Sequence, residues 1–249
     1  VTDIVERAVN AEATETPSPR TVGTVLVTGA ASGLGRAVAR AVAAAGGHPL
    51  LLDRVEPDAG LPGAATAVAD LADAPNAERV VADLAGRAGG LDAVVTAAGI
   101  DRCGRLADVP APEWERVVRV NLIGTAAVIR TALPALRARR GRIVTVASTL
   151  GLRALPEASA YCASKFGVIG LSRALAAELT GEVGLTLLVP GGMSTAFFDG
   201  RPEQYRPGPD AALNDPREVA EAVLFALTRP EGCEVREMVV CPETEPSWP

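Results

Sequence analysis

Thr24-Val25-Leu26-Val27-Thr28-Gly29-Ala30-Ala31-Ser32-Gly33-Leu34-Gly35 is the stretch that decides the fold. Thr24 to Val27 form a short apolar run, the pattern of a strand buried on both faces. A glycine-rich loop follows at once and opens a helix expected over 34–45, closed by Gly46-Gly47. Gly29 permits a tight turn, Gly33 lets the backbone approach a pyrophosphate, and Gly35 lets the helix pack closely on the sheet. The helix N-terminus adds N–H groups and a partial positive charge suited to phosphates. A glycine triplet alone is weak evidence; the strand–loop–helix context gives it weight.

Outward from this stretch, short apolar runs alternate with Ala-rich helical ones. Further strands are expected at 49–52, 65–69, 91–96, 142–146, 185–189 and 235–240, with helices at 76–87, 113–139, 159–178 and 216–227. This alternation predicts an α/β fold: a doubly wound parallel sheet of about seven strands, covered by helices on both faces. Residues 1–22 differ, being rich in Thr, Pro and Ser toward their end. They predict a flexible tail ahead of a single domain over 23–249. The last residues, 245–249, carry Trp248, expected to pack on a neighbouring copy.

The 249 residues suffice for one large domain. Aromatics are 3% against 48% hydrophobic residues, so Ala, Val and Leu must build the core. A net charge of -6 argues against nucleic acid as a partner. The basic run 137–142 falls at an expected helix end, where cations suit the dipole. No apolar stretch reaches the roughly 18 uninterrupted residues of a membrane span. No basic-then-apolar leader is visible, so no membrane partner and a cytoplasmic location are expected. Cys103, Cys162, Cys233 and Cys241 lack metal-ligand spacing, and His48 is the sole histidine. Neither a metal site nor a Ser-His-Asp triad is expected.

The chain has one lysine, Lys165, four positions after Tyr161, which is one of two tyrosines. Every other basic side chain is the broad, planar arginine, whereas lysine is a compact ammonium. At this spacing the two share a helix face, and an ammonium beside a phenol favours the phenolate. Ser148 ends the fifth strand, thirteen positions before Tyr161. Asn121 sits inside the 113–139 helix, where a poor helix former needs a reason. At the other end, Asp53 closes the second strand. A carboxylate there accepts hydrogen bonds from adenosine ribose hydroxyls and repels the extra phosphate of NADP, which favours NAD. Arg54, next in line, is a phosphate clamp and leaves NADP possible. Asp70-Leu71 closes the third strand, with Asp70 placed to reach adenine. Thr96-Ala97-Ala98-Gly99 closes the fourth with residues small enough for a cofactor to lie across them.

With these residues in this order, the chain from about 22 to 240 resembles the short-chain dehydrogenase/reductase family, in its compact single-domain branch. The resemblance rests on Thr-Gly-x-x-x-Gly-x-Gly from Thr28, Asp70, the Asn121 helix, Ser148, Tyr161-Cys162-Ala163-Ser164-Lys165 and Pro190-Gly191. It implies a Rossmann-type fold and a catalytic tetrad of Asn121, Ser148, Tyr161 and Lys165. Tyr161 would be base in alcohol oxidation and acid in ketone reduction, its pKa brought down from near 10 by roughly three units. Lys165 would supply the positive charge and bond the nicotinamide ribose. Ser148 would donate to the substrate oxygen, and Asn121 would hold a water linking Lys165 to solvent. Cofactor contacts would come from Gly29, Ser32, Gly33, Leu34, Gly35, Asp53, Asp70, Leu71, Ala97 and Gly99. Tyr161, Lys165, Pro190, Gly191, Met193 and Thr195 would complete them. The chain departs from the family at Thr96 and Ala97, where Asn is usual, at Ala147, where a second serine is usual, and at Met193, where a branched aliphatic is usual. The departure at 96 would weaken a hydrogen bond from sheet to cofactor. The family's dimer surfaces fall on the helices 113–139 and 159–178, so a homo-oligomer, dimer or tetramer, is expected.

Residues 195–213 hold Phe197, Phe198 and Tyr205 among Pro and Gly, as in a loop that closes over a site. Leu150, Phe197 and Phe198, with Leu152 and Cys103, are expected to line a pocket for an apolar, medium-sized secondary alcohol or ketone. The rings serve equally well to anchor the lid. Arg153, Arg201 and Arg206 are the candidates for reading an acidic or phosphopantetheine-linked substrate. Three readings stand: an NAD-dependent alcohol dehydrogenase or ketone reductase; an NADPH-dependent ketoreductase of acyl-carrier or polyketide type, which Asp53 speaks against; and a non-catalytic cofactor sensor, which has no use for Tyr161 beside Lys165.

Overall fold

In the computed structural model, residues 18–58 and 60–245 are described. Seven strands form one sheet: β1 (Thr24–Thr28), β2 (His48–Asp53), β3 (Ala65–Val68), β4 (Ala93–Thr96), β5 (Arg142–Val146), β6 (Gly184–Pro190) and β7 (Glu237–Val240). All neighbours are parallel, in the order β3-β2-β1-β4-β5-β6-β7. This is the Rossmann-type doubly wound sheet expected from the alternation of runs. The chain builds outward one way from β1 to β3, then returns to lay β4 on the other side of β1.

Side chains on a strand alternate between faces. Val25 and Val27 therefore join one core with helices α1 (Gly33–Ala44) and α6 (Pro216–Leu227), through Leu34, Val38, Val219 and Val223. Leu26 joins the opposite core, covered by α2 (Ala74–Arg87), α4 (Thr125–Ala138) and α5 (Ser159–Glu178), while α3 (Ala111–Val118) packs on α5. The largest fully buried side chains are all Leu and Ile, as the shortage of aromatics requires.

Three local expectations change. The helix expected over 113–139 is interrupted: α3 runs into a π-helical turn, Arg119–Gly124, before α4. The wider turn is crowded from outside, since a Cβ on Gly124 would lie 2.7 Å from the Leu71 Cβ. The helical run Ala111–Ala138 is long and apolar enough to cross a membrane by length and composition, but half of its most apolar stretch is buried in this fold.

The basic run 137–142 does more than meet a helix dipole. Arg137 pairs with Glu182, Arg139 with Asp92 and Arg140 with Glu231. Arg142 lies within β5, its buried guanidinium donating to the carbonyls of Arg229, Pro230 and Cys233. The chain is also packed earlier than the expected boundary at 22. Arg20 donates to the carbonyls of Thr228, Arg139 and Arg140, and Val22 is buried in the first core. Residues 1–17 and Trp248 lie outside the described residues.

The glycine loop is held by contact as much as by conformation. Gly29 has φ +70°, and a Cβ there would come within 2.8 Å of the Ala98 Cα. A Cβ on Gly35 would lie 2.1 Å from the Gly29 carbonyl oxygen, which is backbone and cannot swing aside. Gly35→Ala must therefore push the start of α1 away from the loop. We expect a loss of about 1–3 kcal/mol of stability, read as a lower Tm in thermal unfolding, together with weaker dinucleotide binding. An unchanged Tm and unchanged affinity would show that α1 shifts without cost.

Candidate active site

The carboxyl ends of the strands open into a cleft of about 800 Å³. It forms where the loops after the paired strands β1 and β4 diverge, the usual ligand site of an open α/β sheet. At one end Asp53 lines it. Its Oδ2 accepts from the Ala31 N–H at 2.9 Å and its Oδ1 from the Arg54 N–H at 2.6 Å, tying β2 to the glycine loop. Asp70 stands nearby, its Oδ1 accepting from the Ala72 N–H and its Oδ2 from Arg116 at 2.7 Å. Burial works to raise the Asp70 carboxyl, but the Arg116 guanidinium and the Ala72 N–H outweigh it and hold the group below its usual range. Arg116 also lines the cleft. It comes from α3, 46 residues from Asp70, and no local pattern announced it.

Gly29, Ser32, Gly33, Leu34 and Gly35 form one wall of the middle, facing Leu71, Ala97 and Gly99. The Ser32 hydroxyl precedes α1 without capping it. Thr195 reaches across from the loop after β6, so that a Cβ on Gly33 would sit 3.5 Å from the Thr195 side chain. Thr96 does not reach the cleft. Its hydroxyl is buried without a partner among the described residues.

At the other end Tyr161 and Lys165 rise from the first turns of α5. Ser148 stands two residues beyond the end of β5, its Oγ accepting from the Leu150 N–H at 3.1 Å. The same hydroxyl hydrogen-bonds Tyr161. The Lys165 Nζ lies 5.6 Å from the centre of the Tyr161 ring and donates to the Val146 carbonyl at 2.9 Å. Asn121 lies in the π-helical turn and stands behind Gly99 rather than in the cleft. Its Oδ1 accepts from the Ile100 N–H at 2.8 Å, and its Nδ2 donates to the Ile100 carbonyl at 2.9 Å and to Ser164 Oγ at 3.0 Å. The Asn side chain thus ties the loop after β4 to the residue before Lys165. A Cβ on Gly99 would lie 3.6 Å from Lys165 Nζ and 3.7 Å from Asn121 Oδ1.

The electrostatics differ from the expected lowering of Tyr161 by Lys165. Burial pushes the Tyr161 phenol up to about 12, against the hydrogen bond from Ser148; Asp101 pushes the same way and Arg201 opposes it. Burial alone pushes the Lys165 ammonium down to about 8. Desolvation penalises both charged forms.

Pro190 at the end of β6 and Gly191, Gly192 and Met193 after it all stand in the cleft wall. Asn214 fixes this loop by donating its N–H to the Gly192 carbonyl and accepting from the Ser194 N–H. The Glu245 carboxylate accepts from the Gly192 N–H at 3.0 Å and lines the cleft, a contribution across 53 residues that sequence spacing did not reveal.

The segment 195–213 covers the Tyr161 end. Phe197 packs 5.7 Å from the Tyr161 ring and Phe198 packs edge-on to Phe197 at 5.5 Å. Both line the cleft, with Leu150 and Leu155, so the rings anchor the lid and shape the pocket together. Of the other expected wall residues, Leu152 packs instead with Ala147, Val168 and Ile169. Cys103 turns its thiol to Asp101, where burial and that carboxylate push it up to about 11. Among the three candidate arginines, only Arg201 lines the cleft.

The short chain dehydrogenase family model matches residues 23–206. The chain is 34% identical over 198 residues to the D-beta-hydroxybutyrate dehydrogenase of Rhizobium meliloti (strain 1021), covering 74% of this chain and 76% of that protein. It is 33% identical over 216 residues to the 3-oxoacyl-[acyl-carrier-protein] reductase FabG of Thermotoga maritima, covering 80% and 88%. The glycine betaine reductase ATRR of Emericella nidulans matches at 31% identity over 89% of this chain, which spans 19% of that larger protein. Among solved structures, an alcohol dehydrogenase from the archaeon Thermococcus sibiricus, complexed with 5-hydroxy-NADP, superposes with a TM-score of 0.77 at 26% identity, over 88% of this chain and 95% of that one. A parallel sheet whose strand order reverses between β1 and β4, a glycine loop ahead of α1, and Tyr161 and Lys165 one turn apart on α5 are thus set in a chain that belongs to the short-chain dehydrogenase/reductase family.

Proposed function

We propose that this enzyme moves hydride between NAD and a secondary alcohol or ketone that is apolar and of medium size. The observation that carries the reading is the Tyr161 hydroxyl, hydrogen-bonded to Ser148 at one end of a cleft whose other end presents Asp53. The cleft suits a dinucleotide: glycine backbone and the N-terminus of α1 for the phosphates, small residues at Ala97 and Gly99 beneath, and a carboxylate at the far end for ribose hydroxyls. When bound, the nicotinamide accepts the hydride in oxidation and gives it in reduction.

The chain's own residues handle the proton. Ser148 donates to the substrate oxygen, where negative charge grows. Tyr161 takes the proton from the alcohol, or returns it to the ketone, at its hydroxyl oxygen. Lys165, held through Val146, places its ammonium one helical turn below the phenol. Asn121 acts as a positioning residue that keeps the β4 loop and the Ser164-Lys165 backbone in register. A second reading, an NADPH-dependent ketoreductase, draws on Arg54 in the cleft wall and on the likeness to FabG and to the dehydrogenase complexed with 5-hydroxy-NADP. A homo-oligomer also fits, since Ile123 and Phe166 stand exposed on the helical faces of the expected dimer surface. Phe166→Ser should then shift sedimentation toward the monomer, and an unchanged profile would remove that face from the interface.

Tyr161→Phe should cut turnover of secondary alcohols by about 100-fold or more while leaving reduced-cofactor binding intact. A variant that keeps full turnover would remove Tyr161 as the acid/base. NAD should be preferred to NADP, and Asp53→Ser should narrow that preference; a wild-type preference for NADP would instead favour the second reading.

Lys165 gives a stability test with a definite sign. Its folded value of about 8 lies below the ordinary 10.5, so the folded state resists the charged form. Below about pH 8 the full penalty is present. From there to about 10.5 the unfolded chain holds more protons, and stability rises with pH by on the order of 3 kcal/mol. Tyr161 acts oppositely, but only between 10 and about 12. Denaturant unfolding between pH 7 and 10 should therefore show a rise in the wild type relative to Lys165→Met. Parallel curves would mean that Lys165 is solvated in the folded state.

A further inference from the structure

Two charged side chains in the cleft have no part in the proton chemistry above. Asp101, on the loop after β4, has a side chain 5% exposed, and Arg201, on the lid, one 18% exposed. They meet at 2.7 Å across 100 residues. Arg201 lies over both lid rings, 4.9 Å from the centre of Phe197 and 4.6 Å from that of Phe198. Phe197 in turn packs on Tyr161, so the pair flanks the reacting hydroxyl.

The guanidinium is already engaged. One terminal nitrogen donates to Asp101 and the other to the Tyr205 carbonyl, while Nε is buried without a partner among the described residues. The other cation at this end, Lys165, is buried and donates to the Val146 carbonyl. Asp101 and Glu245, both carboxylates, line the same cleft. An incoming carboxylate would meet the Asp101 carboxylate and, among the described residues at this end, cations already engaged, in a site where charges are weakly screened.

We propose that the Asp101–Arg201 pair determines substrate charge: it holds the lid's arginine neutralised beside Tyr161, so that the pocket takes uncharged secondary alcohols and ketones and rejects those with a carboxylate near the reacting carbon. The proposal rests on the oxidoreductase reading and narrows its substrate class. It also sets this chain apart from the relative named for D-beta-hydroxybutyrate. Specificity here is built from a repulsive element as well as a complementary one.

The test compares 3-hydroxybutyrate with its methyl ester, which share a carbon skeleton and differ in charge. The wild type should favour the ester in kcat/KM by about 100-fold, in line with the several kcal/mol that juxtaposed like charges cost. Asp101→Asn, nearly isosteric, releases the guanidinium and should shrink that ratio by at least about tenfold; Arg201→Met should widen it. The same comparison is made without turnover by titrating acetoacetate and methyl acetoacetate into the NADH-loaded wild type and Asp101→Asn, with thermal unfolding to confirm that each variant is folded. If no alcohol turns over yet the binding ratio collapses in Asp101→Asn, the oxidoreductase reading fails and the charge filter stands. Equal use or binding of acid and ester by the wild type overturns the filter, as does a ratio that Asp101→Asn leaves unmoved. A wild-type preference for the acid that Arg201→Met abolishes also overturns it, and makes Arg201 an anion anchor.

Discussion

The pairing of β1 with β4 is the constraint on which the cleft depends. The chain leaves β1 toward β2 and β3 on one side, and leaves β4 toward β5, β6 and β7 on the other. The loops after these two strands must therefore diverge, and a groove opens between them whatever their side chains. The glycine loop after β1 and the small residues after β4 line its two banks. Their backbones come so close at Gly29 and Ala98 that Gly29 has no room for a larger residue. Everything built above, from Asp53 to Tyr161, is carried by that junction.

Burial sets the resting charge at the Tyr161 end. A hydroxyl and an ammonium that are both withdrawn from water favour their neutral forms, and here the two shifts run in opposite directions on the pH scale. The structure thus sets phenol and amine apart, the Tyr161 phenol pushed up from 10.0 to about 12 and the Lys165 ammonium down from 10.5 to about 8. The charge that stabilises a phenolate must then be concentrated near it as the reaction proceeds, and the low local dielectric makes each such charge count for more than it would in water.

Much of this was legible in the chain because it is local. The strand–loop–helix of 24–35, the Tyr161–Lys165 spacing and the limits of α5 and α6 each lie within one element, where periodicity and turn residues carry the information. What escaped is non-local. Arg116 on Asp70, Arg201 on Asp101 and Glu245 on Gly192 join residues 46, 100 and 53 positions apart, and nothing in the spacing of either partner hints at the other. Nor did composition show that Arg142 would be buried within a strand, its guanidinium facing three carbonyls. The placing of Asn121 shows both sides. Its helix was visible and its oddness there was visible, but the widened turn that turns it toward Gly99 was not.

That extra residue has a mechanical meaning. A helix advances its faces by about 100° per residue, so a turn holding one residue more than its neighbours rotates everything after it by about that angle. The part before the widened turn, α3, packs against α5, while the part after it, α4, packs against α2. A uniform rod would keep its apolar stripe on one azimuth and serve only one of these neighbours well. The widened turn works as a phase shifter between two bearings, letting one continuous segment brace the helix that carries Tyr161 and the layer that closes the far edge of the sheet.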